Sequence, residues 1–421
     1  MRTLRAVERS ALPLERFSGG IAIYDSQRDE LFTSLDTFDA ASAAVEALPY
    51  FAARIGAAHA SRVTLQVVYA YLTGLEQLAW DEDGLATVYS SLRAELADPD
   101  WTYVLLGNLT HYHSEDALID FGGGLTIRHR NLEELRERLG WGDWHLERLR
   151  EDWTGPGASE HIVYLEEKAP KSPDNFLLGN TATGYELISR LMLALWLHKP
   201  GDVQVGHLFQ AQAMKFNVGH GGLAMSGEAP RDPFGTAYVL SAAEASDVRE
   251  IFDKLAQNVG AVPPNVTLAI RRFSSIYGRG IHQREDRILD AITTLEALLG
   301  SADELTFKLS YRVASLLATD DEERVDLFES MKSFYRVRSR IVHGGHLSES
   351  QVQLVADDEP LRDVARRIIR GVLVLAGAGD FLLTRKYVDE ELDKVLLHEA
   401  RRRELQEAMG LGLRPSGQAS A

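Results

Sequence analysis

The chain has 421 residues, 45% of them hydrophobic, and sets 45 Lys and Arg against 62 Asp and Glu for a formal net charge of -17. That is apolar material for two or three cores, with two domains the first expectation, while the acidic balance excludes a general polyanion-binding surface and makes any nucleic-acid contact local. With no cysteine, the chain has no disulfide, thiolate zinc site, iron-sulfur cluster or cysteine nucleophile.

The opening MRTLRAVERSALPLERFSGG scatters its charges and lacks an apolar stretch of signal-peptide length, and no later run is long enough to span a bilayer. These features predict a cytoplasmic protein without membrane contact. From Leu35 to about Leu96 the apolar spacing is helical, with Leu65, Val68, Leu72, Leu75 and Leu78 recurring at three and four. From Trp101 to Ala169 the pattern turns to short extended runs, TYVLLGNL, ALIDF, LTIRH and HIVYLEE, with FGGG as a tight turn and NLEELRERL as one helix. ATGYELISRLMLALWLH reads as a helix and HLFQAQAMKFNV as a strand, and Ser241 with Glu244 opens the helix SAAEASDVREIFDKLAQ by a capping-box spacing.

Two prolines in AVPPN make residues 261–265 the linker candidate, because they cannot continue the helix before them. Beyond it the chain is helical: TLAIRRFSSIYG, HQREDRILDAITTLEALLG, DELTFKLSYRVASLLA, DEERVDLFESMKSFYRVRSRIVHGG and EPLRDVARRIIRGVLVLAGAGDFLLT. The predicted organisation is a mixed α/β domain over 1–260, a helical bundle over 266–398 and a polar, disordered tail over 399–421; the fold class is α+β followed by an all-α bundle, mainly α overall.

The cations gather in YRVRSRIVHGG. On the fourth bundle helix Leu327, Phe328, Met331, Phe334, Tyr335, Ile341 and Val342 form an apolar stripe with Arg338 in its middle, whereas Arg336 and Arg340 point away to a solvated face. An arginine on such a stripe needs a partner or an anion, since an unpaired buried charge costs about 3–5 kcal/mol. Two readings stay open: an ion pair with Glu296, or an anion site facing a second subunit. His343 follows Arg338 by five residues, about 140° round an ideal helix, and Gly344 and Gly345 put it on the last turn, where the helix dipole favours a protonated imidazole.

Arg338, four residues and His343, with polar Ser339 directly after the arginine, resembles the R-x4-6-H signature of HEPN domains, the higher eukaryote and prokaryote nucleotide-binding helical bundles. RRFSSIYGRG, DRILDAITTLEALL and FKLSYRVASLLA before YRVRSRIVHGG are similar to the Apea-like branch, over Val266 to Leu397. The resemblance implies a metal-independent endoribonuclease without cofactor, acting on RNA as a homodimer whose two bundles each contribute an arginine and a histidine, in phage defence or a stress response. Carried over, Arg338 would hold the scissile phosphate and His343 would move the proton of the ribose 2′-hydroxyl or the leaving group, with Ser339, Glu296 and Arg336 in support; Arg336 also meets the looser spacing of six. The alternative is a catalytically inactive scaffold for dimerisation or for binding RNA or nucleotide.

Other constellations carry less. His111 and His113 with Glu115 and Asp116 could converge on a metal, though the spacing matches no motif. VGHGGLA fits G-x-G-x-x-A without a helix to receive a pyrophosphate, and the chain has no G-x-S-x-G elbow and no GK[ST]. Residues 1–260 show no chemistry; the resemblance suggests a sensor or substrate-recruiting module there, the place for a trigger ligand.

Overall fold

The computed structural model describes residues 16–17, 20–21, 37–73, 81–139, 146–147, 149–150, 153–154, 157–173, 182–213, 224–226, 235–257, 262–279, 283–301, 303–377 and 384–411. The fold is mainly α with an α+β amino-terminal region. Compactness divides the chain differently from a cut at 261–265. One unit takes residues 1–109, 117–188 and 205–229, and the other takes 110–116, 189–204 and 230–421.

After a short antiparallel pair of two-residue strands, Arg16–Phe17 and Gly20–Ile21, the amino-terminal region runs through helices α1 (Phe38–Glu46), α2 (Phe51–Arg54), α3 (Ala60–Thr73) and α4 (Glu82–Ala97). Strands β1 (Asp100–Thr110), β2 (Tyr112–Ser114), β3 (Leu118–Asp120) and β4 (Leu125–His129) follow, then helix α5 (Leu132–Leu139), strand β5 (Ala158–Pro170), helix α6 (Ala182–His198), and strands β6 (Gln204–Ala213), β7 (Ala224–Ser226) and β8 (Tyr238–Leu240). Among the described residues, six strands form one sheet in the order β3-β4-β5-β1-β6-β7. β4 and β5 run antiparallel with Ile127 opposite Val163.

Alternation along β1 feeds both faces of this sheet. Trp101 and Tyr103 pack with Val45, Phe51, Val63 and Leu92 of the early helices, while Val104 and Leu106 pack with Leu135, Leu139, Trp153 and Phe209. FGGG makes the expected turn between β3 and β4. Gly124 there has φ +83, and a Cβ on it would meet the Glu166 carbonyl oxygen, so only glycine fits. The segment 218–223 of VGHGGLA lies outside the described residues.

The second unit begins with the short parallel pair β2–β8, in which Tyr112 faces Tyr238, and continues through helix α7 (Ala242–Gln257). Only half of the expected capping box forms: the Ser241 N–H donates to Glu244 Oε2 at 2.9 Å, but the Ser241 hydroxyl also donates to that oxygen, at 2.8 Å, and the Glu244 N–H goes to the Ser241 carbonyl at 3.1 Å instead of the hydroxyl. Helix α8 (Pro264–Tyr277) starts earlier than expected. Pro263 is its N-cap and Pro264 its first residue, because a first-turn N–H has no helical partner and proline lacks one. Pro264 and Asn265, read as linker, are therefore helix.

The bundle continues as α9 (Arg284–Leu299), α10 (Leu305–Leu317), α11 (Asp321–Val342), α12 (Glu349–Ala356) and α13 (Glu359–Gly377). α8 packs along α9 and α10 along α11. The core joins Ile288, Ile292 and Leu295 of α9, Leu309 and Val313 of α10, Phe334 of α11, and Leu361 and Ile368 of α13, all buried and each worth about 1.5–3 kcal/mol.

Arg312 threads this core with its side chain fully buried. Its guanidinium donates to both oxygens of Asp393 at 2.6 and 2.9 Å, to the Leu299 carbonyl at 2.6 Å and to the Val388 carbonyl at 2.9 Å. It thereby fastens α14 (Arg385–Glu390) and α15 (Leu392–Leu397) to the bundle.

The stretch read as a polar, disordered tail begins with a further helix, α16 (Glu399–Ala408). Its Leu405 and Met409 are buried, and Gln406 Nε2 donates to the carbonyls of Ser315, Leu316 and Ala318 at 3.2, 3.1 and 3.0 Å. Two N–H donors are thus shared among three carbonyls at the end of α10, from a residue that composition marks as surface. Residues 412–421 lie outside the described residues. Among the described residues, no helix is long and apolar enough to cross a membrane.

Candidate functional site

Helix α11 carries the candidate residues, and its charges follow its dipole. Asp320 caps the start, accepting from Glu323 N at 2.8 Å, and Asp321, Glu322 and Glu323 fill the first turn. Arg336, Arg338 and Arg340 come at the other end, where partial negative charge gathers on the unpaired carbonyls.

The glycines end the helix in a left-handed cap. Gly344 has φ +66, its N–H donates to the Ile341 carbonyl at 3.1 Å, and the Gly345 N–H donates to the Arg340 carbonyl at 2.8 Å. This is the Schellman pair of bonds. Arg340 adds a hydrogen bond to the His346 carbonyl at 3.0 Å. His343 is the C-cap residue, with its backbone N–H on the Ser339 carbonyl at 3.1 Å and its side chain exposed.

The apolar stripe sits differently from its projection. Met331, Phe334 and Val337 are the buried residues of α11; Leu327, Phe328, Tyr335 and Ile341 are half-buried, and Val342 is 52% exposed. Burial stops at Val337, more than a turn before the helix ends. Arg338 therefore flanks the core instead of lying inside it, and its side chain keeps 28% of its surface.

Arg338 Nη2 stands 3.6 Å from Glu296 Oε2 of α9, whose side chain is 18% exposed. The Tyr335 ring lies one turn back, 5.6 Å from the guanidinium carbon. Burial first, and then the Glu296 charge, push the Tyr335 hydroxyl above its ordinary pKa, with Arg338 opposing. Ser339 is half-buried and Arg336 exposed. Arg336 and His343, seven residues apart, fall within about 20° of each other on the helix, on the side away from the core. The structure thus brings Arg338, Glu296 and Tyr335 together at the flank of the core and sets His343 and Arg336 out in solvent.

The paired-histidine alternative does not assemble. His111 takes φ +53 and its carbonyl accepts from Tyr238 N at 2.6 Å, while His113 is exposed on β2. Among the described residues, no three His, Asp or Glu side chains are grouped to hold a metal ion.

Sequence reasoning missed a buried chain of alternating charge in the second unit. Asp202 pairs with Arg362 at 2.7 Å, Arg362 with Asp358 at 3.2 Å, and Asp358 with Arg287 at 3.9 Å, and each of these side chains is more than nine-tenths buried. Asp358 and Arg362 are an i, i+4 pair, but the links to Asp202 and Arg287 join segments far apart in sequence, so no local pattern announces the chain as a whole. Comparison of the chain with protein-family models, curated proteins and solved structures found no match.

Proposed function

We propose that the chain is a metal-independent endoribonuclease that acts as a homodimer, with Arg338 and His343 of two copies forming one composite site. The observation that carries the reading is the end of α11. There a Schellman cap holds an exposed imidazole within two turns of Arg338, whose side chain keeps 28% of its surface. A guanidinium binds phosphate oxygens through a rigid fork, and imidazole is the side chain that exchanges protons near neutral pH.

In this reading the ribose 2′-hydroxyl attacks the adjacent phosphorus. His343 takes up the proton released, the bond from phosphorus to the 5′-oxygen breaks, and that oxygen is reprotonated as a cyclic phosphate forms. Arg338 neutralises the charge that builds on the phosphate. Positioned proton transfer contributes about 10²- to 10⁴-fold to such a reaction, and a charged donor at the developing oxyanion adds to it.

A second reading, the inactive scaffold, draws on the ion pair itself: Arg338 already has Glu296 as a counter-charge, and His343 faces solvent about 140° round the helix from it. Incubating RNA with the protein in excess chelator separates the two. The nuclease reading requires cleavage, lost in Arg338→Ala and in His343→Ala proteins that still fold and pair. RNA that is bound but left intact favours the scaffold.

A further inference from the structure

We infer that Glu296 is a positioning residue, aiming the Arg338 guanidinium without occupying the hydrogen-bond donors that phosphate needs; this rests on the nuclease reading above. The closest approach of the two groups is 3.6 Å, beyond the 2.7–2.9 Å of a charge-assisted hydrogen bond. Among the described residues Arg338 has no hydrogen bond to any other acceptor, so its five N–H groups remain unspent.

Arg312 shows what a purely structural arginine looks like in the same bundle. Its donors are engaged by Asp393 and by two carbonyls, and its side chain is fully buried. Arg338 differs on each count. It is drawn toward a carboxylate, backed by the Tyr335 ring at 5.6 Å, and left partly open to solvent.

Glu296 is itself an unusual partner. Its Oε1 is buried and has no hydrogen bond, an arrangement that wastes an acceptor if stability is the purpose. Held in the wall of the bundle, the carboxylate restricts where the guanidinium points. That restriction keeps a catalytic group near its reactive geometry, and a misplacement of about 1 Å costs on the order of 10²-fold in rate.

The same negative charge opposes an incoming phosphate. Glu296 should therefore help turnover while weakening binding, a split that a structural role does not produce. Glu296→Gln keeps the shape and removes the charge. The expected result is an RNA cleavage kcat lowered about tenfold, with binding of a 2′-O-methyl RNA of the same sequence unchanged or tighter. Glu296→Asp, which keeps the charge but withdraws it by one methylene, should give an intermediate kcat and guards against a glutamine variant that misfolds.

Wild-type kcat in folded Glu296→Gln overturns the inference and leaves the nuclease reading standing. So does a parallel loss of binding, turnover and folded fraction in both variants. Absence of cleavage by the wild-type chain overturns the nuclease reading, and this inference with it.

Discussion

Arg312 is gripped by both carboxylate oxygens of Asp393, at 2.6 and 2.9 Å, across 81 residues of chain. This pair ties the two short helices after α13 to the bundle. The Asp393 side chain keeps 34% of its surface and can turn to solvent once the arginine is gone, but the Leu299 and Val388 carbonyls lose a buried donor, at a cost of about 1–3 kcal/mol. Arg312→Ala is therefore expected to lower stability by that amount, read as a fall in the urea midpoint of the second unit. Because Arg338 is looser and partly solvated, Arg338→Ala should cost about 1 kcal/mol or less by the same measurement.

The end of α11 depends on a left-handed residue. Gly344 has φ +66 and open space where a Cβ would go, so the cost of Gly344→Ala is conformational and amounts to about 1–2 kcal/mol. Gly344→Asn should cost less, since asparagine tolerates this region. Both are measured by thermal unfolding. In the nuclease reading the alanine variant also loses cleavage, because the cap that fixes His343 is disturbed.

Helix α16 supplies a test of the carboxy-terminal region. Gln406 shares its two amide N–H groups among three carbonyls, and Gln406→Ala removes that buried donor, for an expected loss of about 1–3 kcal/mol. Removing residues 399–421 should destabilise further, whereas cutting a disordered tail would leave the unfolding midpoint unchanged.

Acid should weaken the second unit through His198. Its side chain is 8% exposed and neither ring nitrogen has a hydrogen bond. Burial first, then Arg370, hold its pKa below the ordinary value of 6.5, with Glu244 pulling the other way. The unfolded chain then binds more protons than the folded one just below that value, so stability is present above about 6.5 and declines as pH falls toward the folded pKa. Burial works to raise the Glu244 pKa, but hydrogen bonds from Lys199 and Ser241 overcome it and bring it to about 2, so Glu244 stays ionised through this window. Unfolding midpoints from pH 7 to 5 should fall in the wild type and fall less in His198→Phe.

What the sequence disclosed was local, and what it concealed was long-range. The strands around FGGG and the glycine cap after His343 depend on neighbours within a few residues and formed as read, as did the bond from the Ser241 N–H back to Glu244 that is half of the expected capping box. The pairing of Glu296 with Arg338 was legible as one of two alternatives, because each is a charge set among apolar neighbours. Val337 was missed as core, since the stripe was centred one step round the helix. Arg312 with Asp393, Arg362 with Asp202, and Gln406 with the end of α10 join residues about 80 to 160 apart, and only the fold brings them together.

The most direct measurement compares an RNA oligonucleotide with its all-2′-deoxy counterpart, each incubated with the wild-type protein in excess chelator. A composite Arg338 and His343 site requires the RNA to be cut, leaving a 2′,3′-cyclic phosphate, and the deoxy strand to remain whole. Intact RNA, or cutting that appears only when a divalent metal is restored, would contradict it.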